Sequence, residues 1–150
     1  MEYEINPETL VVLPLEDRKA FVMEPDAEYT VDSSVMEVID HSCKYFGSSY
    51  SGRNSGTFNL LGIQIKTPII IEETNDIIFF PTRSPRSKDC FWISYNNIAS
   101  FSKTDDIKTT KVEFKNGKTL LVPISYLSFS NQYLRAGRLK AVLISRKYQK

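Results

Sequence analysis

The chain has 150 residues, 41% hydrophobic and 25% charged, a size and composition that let one domain over 1–150 build its own core without disulfides or metal. A net charge of +1 argues against nucleic acid when taken as a whole, and two cysteines outside any CxxC pair argue for a reducing compartment. The acidic stretch Met1–Thr9 lacks the apolar core of a signal peptide, and every apolar run is far too short for a membrane span, so the expected location is cytoplasmic with no membrane partner.

In chain order, Thr9–Leu13 and Ala20–Met23 read as short strands, punctuated by Pro14 and Pro25. Ser34-Val-Met-Glu37 is a capping box, in which the serine caps a free N–H and the glutamate reaches back. Val35, Val38, Ile39, Ser42, Cys43 and Phe46 then share one face at helical spacing, and Gly47 supplies the stop. A small-residue stretch, Gly47–Thr57, follows. From there to Pro123 the pattern is mostly strand. The segments are Leu60–Ile65, Ile69–Glu72, Ile77–Phe80, Phe91–Ser94, Ile98–Ser102, Lys111–Lys115 and Thr119–Val122. Asn116-Gly117 reads as a two-residue type I′ turn, which sets Val112 and Phe114 on one face with Leu121 and Thr119.

Ser125 or Ser128 can cap a final helix reaching about Arg146. Phe129, Tyr133, Ala136, Leu139 and Leu143 share its apolar face, with Asn131, Arg135 and Arg138 opposite. Gly137 weakens this helix by roughly 1 kcal/mol relative to alanine. The order of elements predicts an α+β fold. About seven to nine short, mainly antiparallel strands would form a curled sheet or open barrel, with one helix in the N-terminal half and one at the C-terminal end.

The near-neutral total hides an asymmetry. Through Pro81 there are 5 basic and 14 acidic residues; from Thr82 there are 14 basic and 4 acidic. No carboxylate side chain follows Glu113, while eight Lys or Arg do. Such polarity points to an anionic partner for the second half. The competing reading is that the halves neutralise each other within one fold. Arg83, Arg86 and Lys88 crowd a Pro/Ser-rich loop, Thr82–Asp89, and Arg135, Arg138, Lys140, Arg146 and Lys147 mark the last helix. An arginine-bearing loop beside a basic helix suits phosphate contact and a narrow groove. Either segment alone is more commonly a plain solvated surface.

Other motifs carry less. Gly47-xxxx-Gly52-Arg53-Asn54 nearly matches a P-loop, but that motif needs Lys and then Ser or Thr, and it follows a strand rather than a helix. Its glycines could still cradle one phosphate through backbone N–H groups. His41 and Cys43 are two apart, and such positions do not face each other on a helix. There is no HExxH pattern or Cys/His cluster, and the carboxylates show no acid/base spacing. No metal, cofactor or catalytic residue is therefore expected. Tyr45, Phe46 and Tyr50 beside Arg53 offer a base-stacking or wedge surface, against the commoner role of packing.

Several blocks in fixed order carry a family resemblance. They are Ile39-Asp-His-Ser-Cys43-Lys-Tyr-Phe-Gly-Ser-Ser-Tyr50, Gly52-Arg53 with Gly56-Thr57, Pro68-Ile-Ile, Phe79-Phe-Pro-Thr82-x-Ser84 and Cys90-x-Trp92-Ile-Ser94. Phe114-x-Asn-Gly-Lys118 and Pro123-Ile-Ser-Tyr-x-Ser-Phe129-x-Asn-Gln132, with Arg135 following, complete the set. Over about residues 35–139 the chain thereby resembles the ComK competence transcription factors of Gram-positive bacteria.

The resemblance implies a sequence-preferring DNA-binding activator of DNA-uptake genes, acting as an oligomer on the nucleoid. It implies recognition of paired A/T-rich boxes through the minor groove, and no catalytic residue. Arg53 and Arg135 are carried over as basic residues within matching blocks, and Lys44 with them. Arg83, Arg86, Lys88, Arg138 and Lys140 rest on charge alone. Family members continue for several tens of residues past the last helix, an extension linked to activation and to control by an adaptor–protease system. This sequence stops at Lys150. The alternative expectation is therefore a shortened paralogue that modulates a full-length relative through protein contacts.

Overall fold

A computed structural model describes residues 2–148. The chain begins with an antiparallel meander of β1 (Val11–Leu15), β2 (Lys19–Met23) and β3 (Glu28–Val31). Pro14, expected to end the first strand, lies inside β1. Its missing N–H costs no ladder bond on the far side, because β1 meets its other neighbour only at Val11 and Val12. β3 is an edge strand whose Glu28 and Thr30 face solvent while Tyr29 and Val31 pack on the first core, an alternation of only four residues.

α1 (Val35–Tyr45) starts on its capping box. Ser34 Oγ accepts from Glu37 N–H, and the Glu37 carboxylate accepts from Ser34 N–H. Val35, Val38, Ile39, Ser42 and Cys43 form the buried face.

α2 (Tyr50–Leu61) occupies the stretch read as a small-residue segment followed by a strand from Leu60. The cause of this correction is local. Ser49 caps the helix by accepting from Gly52 N–H, and Gly62, at φ +73, closes it by donating to Phe58 O. Gly52 and Gly56 oppose the helix by roughly 1 kcal/mol each. Tertiary contact offsets this: Thr57 is buried, and its hydroxyl donates to Pro68 O at 2.7 Å.

β4 (Ile69–Glu72), β5 (Ile77–Pro81) and β6 (Trp92–Ser94) form a second meander. β1 pairs with β6, which joins the two meanders into one six-stranded sheet ordered β3-β2-β1-β6-β5-β4. Its apolar residues divide by parity. Val12, Ile69, Ile71, Ile77, Phe79 and Trp92 join α1 in one core, while Val11, Ile70, Ile78, Phe80 and Ile93 join another. Coverage on both faces is why Ile69-Ile-Ile and Ile77-Ile-Phe-Phe read as unbroken apolar runs.

The second core is closed by a separate three-stranded sheet and a long helix. The strands are β7 (Ile98–Lys103), β8 (Thr110–Phe114) and β9 (Thr119–Val122), and the helix is α3 (Tyr126–Lys147). The fold is α+β, with nine antiparallel strands in two sheets and three helices among the described residues. The sheets do not close into a barrel. No described helix is long and apolar enough to cross a membrane.

The β8–β9 register differs by one residue from the expectation. Lys115-Asn116-Gly117 forms the loop, Phe114 N–H donates to Lys118 O, and Val112 faces Leu120. A type I′ turn needs positive φ at both central residues, and here only Gly117 has it, at φ +95. The slip turns Leu121 outward, 61% exposed, and packs Leu120 against the second core.

Candidate nucleic-acid interface

α3 organises the basic surface. Ser125 rather than Ser128 is its cap, accepting from Ser128 N–H at 3.2 Å. Its 22 residues extend about 33 Å. Phe129, Gln132, Ala136, Leu139 and Leu143 are buried, and Tyr133 is half-buried against Tyr95, with ring centroids 4.8 Å apart. Gly137 has a packing reason. A Cβ there would lie 2.9 Å from the Tyr95 hydroxyl. Burial, with Tyr133 beside it, holds the Tyr95 phenol above its usual range.

Gln132 is the centre of the arrangement and is absent from the sequence expectation. Its side chain sits in a residue 2% exposed, and Nε2 donates to Lys66 O at 2.8 Å and Pro81 O at 2.7 Å. Arg135, one turn on, donates from Nη1 to Ile65 O at 2.9 Å and to Gln132 Oε1 at 3.3 Å. Arg83, just past Pro81, donates to Pro123 O at 2.6 Å, two residues before the α3 cap. Segments distant in sequence thus meet on α3 and bring Lys66, Arg83 and Arg135 together. The signals for Gln132 are its place at the end of a family block and a polar side chain within the apolar stripe of Phe129, Ala136 and Leu139. Lys66 gives none beyond being the lone charge between Arg53 and Glu72.

The remaining predicted cations fall into different settings. Arg86 and Arg138 are exposed and have no ion-pair partner among the described residues. Lys140 Nζ lies 5.8 Å from the centroid of the Tyr95 ring, a cation–π contact. Lys88 lines an open groove of about 850 Å3 with Asp17, Asp89 and Trp92. Of the bases after Pro81, only Lys118 and Lys147 meet carboxylates of the first half among the described residues, Glu28 at 3.8 Å and Asp76 at 2.6 Å. Direct pairing between the two halves is therefore limited to these two contacts among the described residues.

Lys44 and Arg53 do not hydrogen-bond to the Gln132 cluster. Lys44 Nζ lies 3.0 Å from Asp40 Oδ2. Asp40 also accepts from Tyr50 N–H at 2.9 Å, and that bond, with Lys44 second, holds its carboxyl below the usual range. The Arg53 side chain is 17% exposed, its Nη1 is 3.2 Å from Glu73 Oε1, and its Nε has no partner. Of the three aromatics near it, only Tyr45 is exposed. Phe46 and Tyr50 pack on the first core, Tyr50 edge-on to Trp92.

Both cysteines are free and buried, and burial pushes each thiol up to about 11. Among the described residues, Glu2, Glu4 and His41 are a set of metal-type donors that converge within 4.8 Å. His41 Nε2 already lies 2.7 Å from Glu4 Oε2, so the group reads as a hydrogen bond tying the N-terminal segment to α1.

The family model for the ComK protein matches residues 1–148. The chain belongs to the ComK family. The match reaches past the blocks of the resemblance, taking in β1–β3 and the last turns of α3. The competence transcription factor of Bacillus subtilis (strain 168) is 41% identical over 141 residues, 92% of this chain and 73% of that relative. No solved structure matches. In this ComK family member, blocks quoted from the sequence meet in space. Pro81 comes from one, Pro123, Gln132 and Arg135 from another, Lys66 precedes the Pro68 block, and Arg83 fills an unmatched position of the first.

Proposed function

We propose that this ComK family member is a transcription regulator of competence genes that binds double-stranded DNA through the α3-centred surface. It acts by binding rather than catalysis, in the cytoplasm on the nucleoid, as one domain. The supporting observation is the junction around Gln132, which gathers the Lys66, Arg83 and Arg135 segments; those of Lys66 and Arg135 hold no carboxylate side chain, between residues 54 and 71 and after Glu113.

Arg86 and Arg138 are the freest cations for phosphate. Arg83 and Arg135 spend part of their guanidinium donors on carbonyls and keep the rest, since the group has five N–H bonds. Lys88, in the groove beside Trp92, and Lys140, over the Tyr95 ring, are further candidates. Lys44 and Arg53 each sit beside a carboxylate, Asp40 and Glu73, whose negative charge opposes a phosphate, so they rank last. An A/T-rich minor groove is narrow and electronegative, which favours inserted arginine. Readout there separates A·T from G·C and little more. A homo-oligomer would present this surface to paired boxes.

Fluorescence anisotropy on an A/T-box duplex and a G/C-rich duplex, across a salt series, tests this. The log–log slope should be about −0.9 per phosphate neutralised. Arg86→Ala and Arg138→Ala should each flatten it by about one unit and weaken both duplexes. A flat salt response rejects phosphate contact, and equal affinity for the two duplexes rejects the A/T preference.

A further inference from the structure

We infer that Ile65 is a wedge that enters the bound duplex and unstacks one base step, an inference that rests on the DNA-binding reading above. Ile65 is 71% exposed, on the segment between α2 and β4. Single exposed apolar residues are common and need no explanation. What sets this one apart is the backbone beneath it. Ile65 O accepts from Arg135 at 2.9 Å, Lys66 O from Gln132 at 2.8 Å, and Pro68 O from Thr57 at 2.7 Å. Thr67 is buried, and Lys66 takes a left-handed conformation at φ +49. Two helices therefore grip the segment from below while the isoleucine side chain stays in water.

The surroundings match a duplex. Gln64 is exposed beside Ile65, and an amide can pair with the acceptors that A·T pairs show in the minor groove. Lys66 and Arg135 flank the tip as cations for the adjoining phosphates. No carboxylate occurs from residue 54 to residue 71. An apolar tip among cations is how minor-groove proteins insert an isoleucine between base pairs. A protein partner fits worse, because an exposed isoleucine between two cations, Lys66 and Arg135, offers far less than the roughly 1,000 Å2 of a stable interface.

The test places 2-aminopurine at successive adenines of an A/T-box duplex and reads its fluorescence together with anisotropy on the same sample. The wild-type chain should raise the fluorescence several-fold at one step. Ile65→Ala should abolish that rise, keep the salt slope, and weaken A/T-box binding by about tenfold. Ile65→Met should restore the rise. Binding without any rise, or a rise that survives Ile65→Ala, overturns the wedge and leaves phosphate contact standing. No anisotropy change at low salt removes the DNA-binding reading and the wedge with it. A change of sedimenting mass in Ile65→Ala would make a second copy of the chain the occupant and overturn the wedge.

Discussion

One amide nitrogen, Gln132 Nε2, serves two backbone carbonyls inside a residue 2% exposed. Gln132→Leu keeps the volume and removes the donor, so Lys66 O and Pro81 O lose their partner. Each orphaned buried acceptor costs about 1–3 kcal/mol. The urea midpoint should fall with an unchanged m-value. Gly137 and Tyr95 make a second case. Alanine gains roughly 1 kcal/mol over glycine in a helix, yet its Cβ would meet the Tyr95 hydroxyl at 2.9 Å. Gly137→Ala should therefore fail to stabilise the wild type and should stabilise a Tyr95→Phe background, as a double-mutant cycle in urea would read. Neither residue's role was legible in advance. The partners of Gln132 lie 66 and 51 positions away, beyond any local pattern. The same holds for Arg53. It stands out as a base in a quoted block, but Glu73 decides its setting, and nothing near Arg53 in sequence points to Glu73.

Elements with a cap and an apolar face were readable, because both signals are local. α1 carries its capping box, α3 its stripe, and β4–β9 their apolar runs. α2 was not readable. It buries only Thr57, so no stripe opposes the loop-like composition of Ser, Gly and Asn. The turn of β8–β9 was half readable: Asn-Gly marked its place, but not the extra loop residue that set the register. The junction of α1 and α2 also predicts a pH dependence. The Asp40 carboxylate accepts from Tyr50 N–H and pairs with Lys44, and its folded value is depressed. A depressed carboxylate adds stability above its unfolded value of about 3.9 and loses it as pH falls through the folded one. The difference in thermal midpoint between wild type and Asp40→Asn should be full above about pH 5 and shrink below pH 4. A difference that grows in acid would refute this role for Asp40.

Across the whole molecule, the sign of the charge follows the chain while the cores do not. The six-stranded sheet buries apolar side chains on both faces, yet its two meanders pair only at Val11–Ile93 and Val12–Trp92, with Ser94 N–H donating to Leu10 O beside them. That narrow seam bears on the order of folding. β7–β8–β9 and each meander pair neighbours in sequence, whereas the seam must close a loop of some eighty residues between Val12 and Trp92. Such closure is entropically late. Pulse-labelled hydrogen exchange during refolding should find the seam amides protected after those of β7–β9, and simultaneous protection would contradict it.

The same seam matters while the chain is being made. The β1–β3 meander leaves the ribosome long before Trp92 exists, and β1 waits with an unpaired edge that carries Val11 and Val12. An open apolar edge recruits other strands. Charge is the guard at hand, because the first forty residues carry eleven carboxylate side chains against only Arg18 and Lys19 among basic ones. The acidic bias of the N-terminal half, read above only as the counterpart of a basic surface, then acquires a separate use: mutual repulsion between nascent copies on one message, holding an unfinished sheet in solution until its second half arrives.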